Sequence, residues 1–159
     1  LSSRWSPIPE FVVSGGVAYT DAQFSDYLTD DPLQFGNLLV QLQGNTPQLS
    51  PEWKGNLGAQ YTFVLSGSSE LSVGANASYV GKQFFDEFNR DPFVGDSYTL
   101  YDSNVTYRPT SEAWSVSLWG RNLSNETEFA DLSYSALGRV TSKKFINPRT
   151  YGVSFNYNF

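Results

Sequence analysis

A period-two alternation runs through this chain and limits what it can fold into. In the closing stretch RTYGVSFNYNF, Tyr151, Val153, Phe155, Tyr157 and Phe159 hold one register and Gly152, Ser154, Asn156 and Asn158 the other. Successive side chains of a β-strand point to opposite faces, so this segment presents one aromatic, apolar face and one small, polar face. A soluble sandwich would bury the apolar face under a second sheet. A membrane barrel would turn it to lipid and set the amides against a watery lumen.

The pattern recurs upstream. In WKGNLGAQYTFVL, Trp53, Leu57, Ala59, Tyr61, Phe63 and Leu65 oppose Lys54, Asn56, Gly58, Gln60 and Thr62. LSVGANASYV, YDSNVTYR and WSVSLWGR read the same way, with Trp119 the one aromatic on the polar register, and VSGGVAYTDA adds a strand near the start. That predicts about six strands of roughly 10 to 14 residues, longer than the 5 to 6 usual in soluble sheets. No helical periodicity competes, and no apolar run approaches the roughly 18 residues of a spanning helix.

The connections alternate in length. SGSS (66–69) and PTSE (109–112) are tight polar turns, whereas residues 25–51, 85–97 and 123–147 form long segments. Outer-membrane barrels have short periplasmic turns and long extracellular loops. Counting back from a periplasmic C-terminus puts every short turn on the periplasmic side and every long loop outside. The same orientation gathers Phe63, Tyr107, Trp114, Tyr157 and Phe159 near one set of strand ends and Trp53, Tyr79, Tyr101 and Tyr151 near the other. Two belts of amphipathic rings suit two membrane interfaces. A sandwich core would place them mid-strand.

Composition removes other classes. A net charge of −6 argues against a nucleic-acid partner, which wants a basic stripe. The chain has no cysteine and no histidine, so it holds no disulfide, thiolate metal site, Ser-His-Asp triad or His-ligated zinc. Its carboxylates lie in loops without a positioned acid–base partner; no catalytic residue, cofactor or metal is assigned, and no enzyme is expected. The absence of an initiator Met and a signal peptide reads as a mature terminus or a fragment. A closed barrel needs at least about 8 strands, and unpaired backbone groups in hydrocarbon cost several kcal/mol each. The chain is therefore expected to be part of a larger barrel, unless DLSYSALGRVTSKKF and FGNLLVQLQG hide further strands.

Over residues 44–159 the sequence resembles the C-terminal barrel portion of TonB-dependent outer-membrane receptors. The likeness is carried by GNTPQLSPEWKGNLGAQYTF, SYVGKQFFDEF, LYDSNVTYRP, WSVSLWGRNLSNETEF and NPRTYGVSFNYNF. Its most specific marks are Gly120, Arg121, Asn122 and Leu123 ending the penultimate strand, and Pro148, Arg149 and Tyr151 opening the last. VSGGVAYTDAQFSDY fits a strand further upstream. The resemblance implies an all-β, antiparallel transmembrane barrel of about 22 strands around an N-terminal plug, of which residues 1–159 are a C-terminal portion lacking plug and TonB box. It implies a receptor in the bacterial outer membrane for energised uptake of a scarce nutrient, typically a ferric siderophore, cobalamin or glycan. Its partners would be the rest of the barrel and plug, the TonB–ExbB–ExbD machine, and the barrel-assembly machinery, which would read the terminal Phe159 with Tyr157 and Phe155. The alternatives are a passive porin-like or small structural barrel, and a soluble secreted β-sandwich binding module.

Candidate ligand contacts fall in DYLTDDP of the first long connection and FFDEFNRDPFVGD of the second, which combine acids and aromatics. Phe84, Phe85 and Phe88 offer stacking faces, Asp86 adds an acid, and Arg90 would pair an anionic ferric chelate. The competing reading is a loop folded on itself, phenylalanines underneath and acids in solvent. Asp86, Glu87 and Asp91 match no established calcium loop. Arg139, Lys143 and Lys144 could meet lipopolysaccharide phosphates or simply be solvated. Arg121 is expected to face the lumen and pair with Asp102 or a plug carboxylate. The Asn-X-Ser/Thr triplets at Asn76, Asn104, Asn122 and Asn125 are taken as chance.

The register assignment predicts an asymmetry. Ala75→Arg or Val116→Arg in the full barrel should cost roughly 2 to 4 kcal/mol by unfolding in lipid vesicles, whereas arginine at Asn76 or Ser117 should be mild. Equal costs on both registers would refute it.

Overall fold

In a computed structural model of the chain, residues 1–34, 39–135 and 140–158 are described. Seven strands form one antiparallel sheet: β1 (Ser2–Ile8), β2 (Phe11–Tyr19), β5 (Trp53–Val64), β6 (Glu70–Val80), β9 (Tyr98–Arg108), β10 (Trp114–Arg121) and β13 (Thr150–Tyr157). Each pairs with its predecessor and successor in that order, a plain meander, and β1 and β13 lie at opposite edges. The wall therefore has one strand more than the sequence predicts. Three short hairpins, β3 (Leu28–Asp30) with β4 (Leu39–Gln41), β7 (Gln83–Phe84) with β8 (Val94–Gly95), and β11 (Phe129–Ser135) with β12 (Val140–Phe145), sit inside the three long connections. The suspected extra strands thus exist, but they pair with each other and leave the wall unclosed.

The missed strand has a physical explanation. Trp5 pairs with Val13 and Ile8 with Phe11, and a register shift lies between them. A bulge places two apolar residues three apart on one face, which breaks the period-two signal. Pro7 and Pro9 further disguise the segment as loop. Between β1 and β2 the turn is only Pro9 and Glu10. The other short turns are equally tight: one 3-10 turn at Ser66–Ser68, with Gly67 at φ 75°, and the turn closed by Glu112 N–H on Pro109 O at 2.9 Å. Thr110 Oγ1 donates to Gly67 O, and Arg108 pairs with Glu70 at 3.3 Å, so these two turns are tied side by side.

Register puts the apolar residues in continuous rows. One runs Phe11, Tyr61, Val73, Val105, Leu118, Val153; another runs Phe63, Leu71, Tyr107, Val116, Phe155. This face is uncovered: Leu118 is 58% exposed, Val153 67% and Phe155 65%. Rings cluster at both margins. Tyr61–Phe63, Tyr107–Trp114 and Trp114–Phe155 lie toward the short turns, with centroids 4.6, 5.7 and 6.0 Å apart, and Tyr19–Trp53, at 4.8 Å, lies toward the long loops. Trp53 and Phe63 sit ten residues apart on β5, roughly 33 Å along a strand. A tilt of about 40° reduces that to about 25 Å, the height of a barrel's apolar band.

The opposite face is polar and low. Thr62 and Ser72 share a hydrogen bond at 2.9 Å, and Thr106 and Ser117 one at 2.8 Å. Asn56 lies over Gly16, Asn76 over Gly58 and Asn104 over Gly74, each its direct cross-strand partner. Trp119 belongs to the same arrangement. Its indole covers Gly152, where a Cβ would come within 2.6 Å of Cε2 and 2.8 Å of Cη2, and Nε1–H donates to Ser154 Oγ at 3.1 Å. On the apolar face the next pair is reversed, with Tyr151 over Gly120, where a Cβ would meet Cδ1 at 2.9 Å.

Gly152→Ala should therefore destabilise the last strand by about 1 to 3 kcal/mol through overpacking. Adding Trp119→Leu should recover part of that loss in a double-mutant cycle read by denaturant unfolding in lipid; strictly additive effects would refute the lock.

Candidate ligand site at the loop junction

The three long connections meet at one end of the sheet, where the described residues form a buried apolar cluster. Phe85 and Phe93 from the second and Leu132 from the third are buried together, with Phe129 and Tyr134 against them. The β7–β8 hairpin aligns its two phenylalanines, Phe85 N–H donating to Phe93 O at 2.8 Å. Gly95 keeps the space beside the Phe85 ring, whose Cε2 would be 2.7 Å from any Cβ there. The first connection is bound to the second much as a strand would be. Thr46 N–H donates to Asn89 Oδ1 at 2.7 Å, and Asn89 Nδ2 donates to Thr46 O at 2.8 Å. Asn45 Nδ2 donates to Glu87 O, and Leu49 N–H to Phe84 O, both at 2.9 Å.

Arg90 is the electrostatic centre of this junction. Its Nη1 and Nη2 reach Asp31 Oδ2 and Oδ1 at 2.5 and 2.8 Å, a bidentate pair, and its Nε donates to Asp86 Oδ2 at 3.1 Å. The guanidinium carbon also lies 4.3 Å from the centre of the Phe88 ring. Asp31, whose side chain is 2% exposed, additionally accepts Leu33 N–H at 2.9 Å and Gln34 Nε2 at 3.0 Å. Arg90 holds the Asp31 carboxyl below its ordinary range, chiefly by that hydrogen bond, while burial pushes Asp86 upward. A charge wholly engaged by two carboxylates is poorly placed to receive an anion.

Phe85, Asp86, Phe88 and Arg90 border one cavity of about 220 Å³, closed by Pro32 and Leu33 from the first connection and Leu132 and Tyr134 from the third. Phe84 does not line it; it lies in β7 opposite Val94, with the Lys82 ammonium 5.6 Å from its ring centre. Asp31 was legible only as part of the acidic stretch DYLTDDP, with no partner assigned to it. It is 59 residues from Arg90, and the only signal was an Asp-Asp pair between otherwise uncharged residues.

The motif residues at the base of the third connection are knitted together. Asn122 is buried, donating Nδ2 to Glu126 O and Asn147 O, both at 2.9 Å, and accepting Glu126 N–H at 2.8 Å. Leu123 N–H donates to Tyr101 O at 2.8 Å, and Arg149, following Pro148, donates its N–H to Asn125 Oδ1 at 3.3 Å and Nη1 to Leu123 O at 3.4 Å. Arg121 has one of its two expected partners, Asp102, in this chain. It does not pair with Asp102, whose Oδ1 accepts Asn122 N–H at 2.9 Å; its guanidinium sits 5.2 Å from the Trp119 ring centre. Arg139, Phe159 and residues 35–38 of FGNLLVQLQG lie outside the described residues.

Residues 1–123 match the family described as TonB dependent receptor-like, beta-barrel. The chain is 35% identical over 145 residues to the ferrioxamine receptor of Yersinia enterocolitica, covering 89% of this chain and 18% of that one. It is also 35% identical over 95 residues to the ferrichrome outer membrane transporter/phage receptor of Escherichia coli K12, covering 60% and 11%. Among solved structures, the ferric yersiniabactin uptake receptor of Yersinia pestis superposes with a TM-score of 0.79 at 17% identity, over 98% of this chain and 22% of that one. The chain thus spans less than a fifth of the length of the two curated relatives.

Removing the guanidinium should reverse a pH dependence. Asp31 has a lowered folded pKa, so its contribution is complete above the unfolded carboxylate value of about 3.9 and is lost as pH falls through the folded value. In Arg90→Met the same carboxylate is buried and unpaired; the junction should weaken by about 3 kcal/mol near neutrality and recover on acidification as Asp31 takes a proton. Hydrogen exchange and limited proteolysis in residues 20–34 and 81–97 would register both trends, with β5, β6 and β9 unchanged; a variant junction as protected as the parent would refute this.

Proposed function

Because this chain belongs to the TonB-dependent receptor β-barrel family, we propose that it forms the C-terminal barrel wall of an outer-membrane receptor that takes up a ferric siderophore. The observation that carries the reading is the combination of two surfaces in one meander. An uncovered apolar face ends in two aromatic margins, and its polar back is topped by a folded loop junction containing a cavity. A soluble module would need the first surface buried, and a simple structural barrel has no use for the second. The receptor and transporter names of the relatives supply the nutrient class.

Under this reading the whole of residues 1–159 is barrel, and the remaining strands continue the sheet from the β1 and β13 edges and enclose the plug. The long connections are extracellular and the C-terminus periplasmic. Phe85, Asp86, Phe88 and Arg90, with Phe84 beside them, belong to the outer ligand vestibule, where Arg90 fixes the loops rather than gripping an anion. Gly120, Arg121, Asn122, Leu123, Pro148, Arg149 and Tyr151 hold the last hairpin in shape. Phe159, with Phe155 and Tyr157, addresses the strand to the barrel-assembly machinery, while Lys143 and Lys144, with Arg139, meet lipopolysaccharide. Energy reaches the receptor through its plug from TonB–ExbB–ExbD.

The test is growth. The full-length receptor, expressed in a strain without other ferric-hydroxamate receptors, should restore growth on a ferric hydroxamate as sole iron source in tonB-positive but not tonB-negative cells. Rescue independent of TonB would indicate a passive pore, and no rescue with any of a siderophore panel would reject the uptake reading.

A further inference from the structure

The net charge of this chain is concentrated at one end. The wall strands and short turns hold four basic and four acidic residues, and residues 20–52, 81–97 and 122–149 hold six and twelve, so the whole −6 belongs to the long connections. Inside the cavity the imbalance persists. Arg90 is the one cation among the described residues that line the cavity, and Asp31 and Asp86 already engage it. Asp86 Oδ1 is buried without a hydrogen-bond partner. Glu87, also on the lining, has only the neutral Gln48 amide donating to its carboxylate and forms no ion pair among the described residues. Lys143 and Lys144 do not border the cavity; they lie on β12, Lys143 over the Phe129 ring and Lys144 opposite Asp131. Among the described residues, Asp86 and Glu87 on the lining and Asp31 behind Arg90 set three carboxylates against one guanidinium beside the rings of Phe85, Phe88, Phe93 and Tyr134.

We propose that this cavity is a subsite for a positively charged arm of the ligand, a primary or substituted ammonium group, and that it discriminates against a carboxylate at the same place. The proposal rests on the uptake reading and narrows it to a charge class. At about 220 Å³ the space falls below the roughly 300 Å³ at which pockets begin to take whole drug-sized molecules, so it admits an arm while the iron-bearing core stays outside. An ammonium group donates to the Glu87 carboxylate and lies against ring faces, both attractive in a partly dry site. A carboxylate would meet like charges and, among the described lining residues, no free cation, the arrangement that rejects a wrong ligand.

The experiment uses the full-length receptor in proteoliposomes and three ferric trihydroxamates with one iron-binding core, ending in a primary amine, its acetamide, or its succinamic acid. The amine should bind about tenfold more tightly than the acetamide, a difference of the size one favourable charge contact supplies, and the succinamic acid weakest of all. Glu87→Gln keeps the shape and the Gln48 contact, and Asp86→Asn keeps an acceptor for Arg90 Nε; each should bring the amine-to-acetamide ratio toward one, with measurable acetamide binding reporting a folded cavity. Equal affinities for the three probes, tightest binding of the acid, or an unchanged ratio in Glu87→Gln would overturn the subsite while leaving uptake standing. Failure of all three probes to bind, in a receptor that the growth test shows taking up some other ferric siderophore, would overturn the subsite alone, and failure in both experiments would overturn the uptake reading as well.

Discussion

Backbone hydrogen bonding in hydrocarbon is the constraint from which this architecture follows. A chain crossing a bilayer as strands must pair every N–H and C=O with a neighbouring strand, because no water is present to take them. The order β1-β2-β5-β6-β9-β10-β13, each strand beside its sequence neighbour, meets that demand with the shortest connections at one end. It also leaves two edges to be continued by further strands, which is how a piece of wall differs from a self-sufficient sheet. Folding economy then falls on the side chains: one face needs only to be apolar, the other only to be small and polar.

The two ends of the molecule obey different rules. The wall has no interior of its own, and its apolar rows are uncovered, so lipid, not packing, accounts for them. The loop junction is held by packing and charge, with Leu42, Phe85, Phe93 and Leu132 buried and a bidentate ion pair at its centre. Joining the two styles are residues such as Asn122, whose buried amide makes three hydrogen bonds where the third connection leaves the wall.

How much of this was legible follows from range. Period-two alternation is a local property, so six wall strands, the short-long parity of the connections and the aromatic margins could be read directly. β1 escaped because a bulge shifted Trp5 and Ile8 out of period. The strands of the loop hairpins are two to seven residues long, too short for periodicity to place, so DLSYSALGRVTSKKF and FGNLLVQLQG could be flagged only as stretches for further strands. Trp119 looked anomalous until its cross-strand partner proved to be a glycine, a fact held in two separate stretches of sequence. Arg90 and Asp31 lie 59 positions apart, and nothing local marks them as partners. Arg121 shows the limit of charge matching: it lies against the Trp119 ring, and Asp102, which accepts the Asn122 N–H, forms no ion pair with it.

The exchange of ring and glycine between β10 and β13 has a mechanical meaning for assembly. Sliding one strand by a pair of residues would bring the Trp119 indole over Thr150 or Ser154, where a Cβ occupies the ground that Gly152 leaves vacant. The same displacement would part Tyr151 from Gly120. Neighbouring strands with uniform side chains can pair in several offsets of similar energy. These two are keyed like a pin in a slot, so the final ribbon can seat at a single position along its neighbour, and any misaligned encounter is free to come apart before it is sealed into the sheet.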